Sequence, residues 1–239
     1  MLSPNGIKTI LFDLDGTLRH NQPEGGEVFA NYAISLGVSL NKDDRRRGIR
    51  WEHYYWAGSP ELRTDLQNHG SENSDFWKNY GYRQLIAFGL EAERAAKLAP
   101  IINEYMNENY KPVSVVRAET YQVLGQLKEA GFRLGVVSNR ERSFQEEMET
   151  LGILPFFEFS LAAGEVQSYK PQPEIFEAAL KRVDSTPQEA MYVGDNYFAD
   201  VIGSRRAGLR PVLYDPRGVY PEADCAVIAS FDGLPAVLK

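Results

Sequence analysis

From residue 112 onward, short apolar runs rich in β-formers alternate with amphipathic segments, and this rhythm restricts the fold more than any single residue does. Residues 118–130 carry apolar positions at helical spacing and meet Gly131 at their end. Residues 132–137 read as a strand that stops at Ser138-Asn139. A helix over 143–151 closes at Gly152, and a short strand follows over 156–161. Then come a helix over 173–183, a strand over 190–193 ending at Gly194-Asp195, and a helix over 199–207. A strand over 211–214 and a short helix over 232–238 complete the series. Strands alternating with helices build a parallel sheet with right-handed crossovers, so the expected class is α/β with a Rossmann-like sheet. Such sheets carry their sites at the carboxyl ends of the strands.

The N-terminal stretch adds one more strand, over 7–12, followed at once by Asp13-Leu14-Asp15-Gly16-Thr17-Leu18. Two acids one residue apart in an extended chain point the same way. Like charges gathered at a strand end are costly unless a cation or a reaction uses them. A solvated turn is the plain alternative, because Asp-Gly is a common turn pair. Asp13, Ser138 and Asp195 all stand at strand ends, so a parallel sheet gathers them on one edge although they are far apart in sequence.

Between these parts strand signals nearly vanish. Residues 27–36, 43–56, 75–88 and 91–109 have helix-like spacing, whereas 58–73 is polar, contains Gly58, Pro60 and Gly70, and reads as a loop. The expected organisation is a core domain from residues 1–20 and 112–239 and an all-helical insert over 21–111. Within the insert, Trp51 and Tyr55 share a helix face, which suits internal packing, with stacking on a flat ligand as the sharper alternative.

Three further fragments carry chemistry. Ser138-Asn139 offers a hydroxyl and turn amides to an anion, although such a pair is also an ordinary turn. Lys170 sits in Tyr169-Lys170-Pro171-Gln172-Pro173, where the prolines stiffen the backbone and Pro173 suits a helix start. Gly194-Asp195 is followed five residues later by Asp200, whose simplest role is in a helix's first turn. Taken in order, Asp13-Leu14-Asp15-Gly16-Thr17, Ser138, Lys170-Pro171-Gln172-Pro173 and Gly194-Asp195 with Asp200 resemble the four motifs of the haloacid dehalogenase-like hydrolases. The position of the helical insert, between the first two motifs, is similar to the cap of the subgroup containing phosphoglycolate phosphatases, β-phosphoglucomutases and 2-haloacid dehalogenases.

The resemblance implies a Mg²⁺-dependent phosphatase of a small phosphorylated metabolite. It implies Asp13 as nucleophile forming an aspartyl-phosphate, and Asp15 as general acid and then base. Ser138, Asn139 and Lys170 hold the phosphoryl group. The metal sits on the Asp13 carboxylate, the Asp15 backbone carbonyl and Asp195, with Asp200 supporting its shell. Asp15 argues against the dehalogenase branch, because a halide needs no proton to leave. A phosphomutase of the β-phosphoglucomutase type and a non-catalytic binding module are the alternatives. The chain departs from many relatives at Arg19-His20 and at Arg140, so these three residues are candidates for the substrate pocket, with surface or hinge placement as the plain reading.

Composition narrows the rest. A formal net charge of −7 speaks against a general nucleic-acid binder. No apolar run reaches the ~20 residues that span a bilayer. Met1–Gly6 shows no basic and apolar leader, so a cytoplasmic protein with no membrane partner is expected. The single cysteine, Cys225, reads as a buried structural thiol.

Overall fold

A run such as Thr9-Ile10-Leu11-Phe12 is apolar on both faces, which only the middle of a two-faced sheet tolerates. In the computed structural model, which describes residues 6–239, this run is strand β1, Thr9–Phe12, with all four residues buried. Met1–Asn5, which fall within the segment read above for a leader, lie outside the described residues. The chain divides into two compact units, one formed by Met1–His20 with Ser114–Lys239 and the other by Asn21–Val113.

The first unit is an α/β layer structure. Strands β2 (His20–Gln22) and β3 (Val113–Val115), at the two points where the chain passes from one unit to the other, form a separate two-stranded sheet. The main sheet continues with β4 (Arg133–Ser138), β5 (Phe159–Ala162), β6 (Ala190–Gly194), β7 (Arg210–Tyr214) and β8 (Ala226–Ile228). Its order is β5-β4-β1-β6-β7-β8, with every pairing parallel. Alternate residues feed opposite faces. Ile10, Phe12, Leu134, Val136, Met191 and Val193 join one apolar cluster, while Leu11, Val137, Leu161 and Tyr192 join another with Ile175 and Phe176. Register sets the last residue of β1, Phe12, level with Val136 of β4 and Val193 of β6, and those neighbours run on to Ser138 and Gly194, so the three carboxyl ends lie side by side on one edge.

The second unit is helical: α1 (Gly25–Ser35), α2 (Lys42–Trp56), α3 (Pro60–His69), α4 (Ser74–Phe88) and α5 (Ala92–Asn109). Helix α3 corrects the expected loop over 58–73. Ser59 accepts a hydrogen bond from the Leu62 amide at 3.0 Å, Pro60 fills the first helical position, and Gly70 ends the helix at φ +70°. The residues that suggested a loop are the helix's own boundaries. Phe29, Ala33, Leu85, Phe88, Ala99 and Ile102 make one core here. Tyr55, Leu62 and Phe76 make another, flanked by Trp51, Trp56 and Tyr80. The Trp51 ring lies 5.0 Å from Tyr55 and 5.2 Å from Tyr80, so the aromatic stretch packs on its own unit.

The helices of the first unit are α6 (Ala118–Glu129), α7 (Gln145–Thr150), α8 (Ala163–Val166), α9 (Pro173–Arg182), α10 (Gly203–Arg206) and α11 (Leu234–Val237). The segment expected as one helix over 199–207 begins instead as a wide turn, Tyr197–Ile202, in which Val201 N–H bonds back five residues to Asn196. Cys225 is half-exposed just before β8, rather than buried as expected, because β8 is short and lies at the sheet edge.

One buried charge sits in the helical unit. Asp65 is 2% exposed, accepts both arms of Arg83 at 2.8 and 2.9 Å, and accepts the Tyr55 hydroxyl at 2.9 Å. Burial, reinforced by Asp65, raises the Tyr55 phenol well above its ordinary range. Removing the carboxylate strands two donors. The variant Asp65→Ala should lose about 2–3 kcal/mol of stability. Urea unfolding followed by tryptophan fluorescence checks this selectively, since Trp51, Trp56 and Trp77, the three tryptophans of the chain, all lie in this unit.

Candidate active site

The site begins where β1 stops. The Asp13 amide still donates to Val193 at 2.9 Å, so the residue is locked to β6 while its side chain clears the strand end. The chain then turns tightly: Gly16 N–H bonds to Arg19 O at 2.8 Å, and the amides of Leu18 and Arg19 return to Leu14 O. Gly16 permits this turn twice over. Its φ is +87°, and a Cβ there would lie 2.5 Å from an Asp195 carboxylate oxygen. The loop therefore packs directly on the acid at the end of β6, and Thr17 donates its hydroxyl to Asp195 at 3.0 Å.

Asp200 is brought in by the wide turn. Asn196 caps it through the amides of Phe198 and Ala199, both at 3.0 Å, and the Asn196 amide donates to Asp200 at 2.9 Å. Asp13, Asp195 and Asp200 thus converge, with one carboxylate oxygen of each within 4.8 Å of the others. Lys170 bonds to two of them. Its ammonium donates to Asp13 at 2.6 Å, to Asp200 at 2.7 Å and to the Tyr192 hydroxyl at 2.9 Å. Tyr192 in turn donates to Val137 O at 2.9 Å. Asn139 holds the lysine's backbone by accepting from its amide at 2.6 Å and donating to its carbonyl at 2.9 Å. Ser138 is buried at the end of β4, next to Asn139.

Electrostatics follow from burial. Asp13 is 6% exposed and Asp200 1%. Burial pushes the Asp13 carboxyl up to about 7, and the opposing pull of Lys170 does not restore it. Burial, with repulsion from Asp13 and Asp200, also raises Asp195 well above the carboxylate range. Burial opposes the Lys170 charge, but Asp13 and Asp200 outweigh it and the ammonium is held well above its ordinary value. One ammonium, bonded to two of the three acids, cannot offset all of them, so the three carboxylates ionised together would carry excess negative charge. Hard oxygen donors with that excess suit a divalent cation.

The Asp15 carboxylate lies outside this cluster. Arg140 takes both its oxygens, Nε to Oδ2 at 2.8 Å and Nη2 to Oδ1 at 2.7 Å. Arg19 adds a longer contact at 3.3 Å. Glu147 of α7 bonds to Arg140 and accepts Arg19 Nε at 2.9 Å, and Ser114 bonds to both Arg19 and Glu147. Burial disfavours the Arg140 charge, yet the hydrogen bonds it donates to Asp15 and Glu147 hold the guanidinium above its usual value. Burial raises Glu147, but Arg140, Ser114 and Arg19 together hold it below its ordinary value. His20 sits apart, 6.0 Å from the Tyr214 ring; burial, aided by Arg117, lowers its imidazole to about 4, so it is neutral.

Of the residues singled out from the sequence, Asp13, Lys170, Asp195 and Asp200 meet, Asn139 braces Lys170, and Asp15 joins the two arginines beside them. Sequence reasoning missed Tyr192 and Glu147. Tyr192 left a faint signal: a phenol in an otherwise apolar buried strand needs a partner. Glu147 left none, since an acid early in a helix is ordinary.

A family model for haloacid dehalogenase-like hydrolases matches residues 7–208. The chain belongs to the haloacid dehalogenase-like hydrolases. Among its relatives in this hydrolase family are a glyceraldehyde 3-phosphate phosphatase of Methanopyrus kandleri, 32% identical over 91% of this chain and 88% of that one, and the pyrophosphatase PpaX of Bacillus pumilus, 34% identical over 87% and 83%. A crystal structure of a predicted phosphoglycolate phosphatase from Haemophilus somnus shares the fold, with a TM-score of 0.60 at 20% identity over 99% of this chain and all of that one. No helix among the described residues of this hydrolase is long and apolar enough to cross a membrane.

The raised Asp13 value fixes a sign. Between about pH 4 and 7 folded Asp13 keeps a proton that the unfolded chain, at 3.8, has released. Stability of the metal-free protein therefore falls as pH rises through this window. Urea midpoints measured in chelator from pH 4 to 8 should decline more steeply for wild type than for Asp13→Asn; parallel curves would contradict the assignment.

Proposed function

We propose that this hydrolase is a Mg²⁺-dependent phosphatase of small phosphorylated metabolites that works through an aspartyl-phosphate on Asp13. The observation that carries the reading is the buried Lys170 ammonium 2.6 Å from Asp13, facing an acid cluster at the carboxyl ends of the central strands. A phosphate ester resists attack because nucleophile and ester are both anionic. Fixed positive charge at the nucleophile lowers that barrier. The relatives support the substrate class, since their names specify glyceraldehyde 3-phosphate, pyrophosphate and, in a 26% identical protein of Halopiger xanaduensis, ribulose 1,5-bisphosphate. In this reading residues 21–111 serve as the cap.

An Asp13 oxygen attacks phosphorus and the bond to the ester oxygen breaks. Asp15 gives a proton to the departing oxygen. Water then attacks the phosphorus of the aspartyl-phosphate, Asp15 takes a proton from it, and inorganic phosphate leaves with the Asp13 carboxylate restored. Lys170 and Ser138 hold the phosphoryl oxygens, and Asn139 keeps Lys170 in place. Asp13, the Asp15 carbonyl and Asp195 would hold Mg²⁺, with Asp200 orienting the set. The ion, when bound, supplies positive charge to the phosphoryl oxygens and to the nucleophile.

Phosphate release from a panel of phosphorylated metabolites tests the reading. Wild type with Mg²⁺ should release phosphate, chelator should stop release, and Asp13→Asn should lose at least about 10³-fold, as loss of a covalent nucleophile does. Release that persists in Asp13→Asn would overturn the mechanism. A second measurement concerns the metal. Added Mg²⁺ should raise the thermal midpoint of wild type and do so less for Asp195→Asn, by the binding linkage.

A further inference from the structure

Asp15 is tied down far more firmly than folding requires. Its side chain is 41% exposed, so water alone could solvate the carboxylate. Ion pairs this open contribute little to stability. Yet Arg140 engages both oxygens at once, a two-point fork that fixes the plane of the carboxylate as well as its charge. Arg140 is itself restrained on two other sides. Its third arm bonds to Glu147, and its guanidinium lies 5.8 Å from the centre of the Phe144 ring, which is 3% exposed. Glu147 is fixed in turn by Arg19 and Ser114. Two acids and two guanidiniums make a set without net charge, so the assembly has no excess to offer a free anion. What it supplies is orientation.

The supports come from separate parts of the chain: the loop after β1, the residue after Asn139, and α7. They converge on Asp15, whose carboxylate is held by guanidiniums, whereas Asp13 and Asp200 are held by the Lys170 ammonium. The fork as it stands holds the ionised carboxylate, and a proton on one oxygen releases one arm while the other keeps the carboxyl in place. An acid that must deliver that proton to a departing oxygen gains from the restraint, because misplacement by an ångström is costly. We propose that Arg140 is the positioning residue of Asp15, with Glu147 as the brace that holds Arg140. The inference rests on the reading of Asp15 as the proton donor. Lysine in place of Arg140 keeps the charge but cannot span two oxygens.

The test is the dependence of kcat/KM on the leaving group, since kcat/KM reports only the steps through departure of the alcohol. The esters are p-nitrophenyl, phenyl and ethyl phosphate, assayed with Mg²⁺. The p-nitrophenolate ion leaves without a proton; ethanol does not. Arg140→Lys should lower kcat/KM for ethyl phosphate by up to about 100-fold and change that for p-nitrophenyl phosphate little. Asp15→Asn should show the same pattern more strongly, and adding Arg140→Lys to it should cost nothing further. Glu147→Gln should give a weaker version, and it serves as the working variant if the urea midpoint shows that Arg140→Lys does not fold. An equal fall for all three esters, or full additivity in the double variant, would overturn the proposal and leave Arg140 a structural ion pair. An unchanged ester dependence in Asp15→Asn itself would overturn the proton-donor reading and the proposal with it, an outcome distinct from failure of Arg140 alone.

Discussion

A single buried ammonium holds this site together. Lys170 lies between Asp13 and Asp200, all three nearly sealed from water. None of the three is affordable alone in a low-dielectric interior. The sheet order that puts β1 between β4 and β6, the stiff Lys170 segment pinned by Asn139, and the wide turn that aims Asp200 inward all serve this one contact. Tyr192 completes it by giving the ammonium a third acceptor.

The charges fall into two sets with different physical character. The inner set of Asp13, Asp195, Asp200 and Lys170 has three carboxyl groups to one ammonium and little solvent, so its acids ionise fully only beside a further positive charge, which is the condition for taking up a cation. The outer set of Asp15, Arg140, Glu147 and Arg19 is balanced and half open to water. The loop 14–19 joins the two sets, and Gly16 allows it to lie against Asp195 while Arg19 folds back to Asp15.

Much of this was legible in the sequence because the signals were local. A doubly apolar strand followed by Asp13 and Asp15 announces a strand-end site, and the alternation after residue 112 announces the parallel sheet that collects Ser138 and Asp195 beside it. What stayed hidden depends on long-range geometry. Arg19 and Arg140 stood out only as departures from a pattern; their common target is Asp15, 125 residues from Arg140. Glu147 is an unremarkable helix acid until the fold sets it against both. Helix α3 was concealed for a different reason: Pro60 and Gly70 mark loops on average but cap a helix when a Ser precedes the proline.

Covalent chemistry at Asp13 is the central claim, and borohydride trapping tests it most directly. An acyl phosphate is reduced to an alcohol, whereas a free carboxylate is not. Borohydride added during turnover, followed by peptide mass spectrometry, should show reduction at position 13, dependent on substrate and Mg²⁺ and absent without them. Steady phosphate release with position 13 never reduced would mean that water attacks the ester directly, and the account of Asp13 as nucleophile would fall.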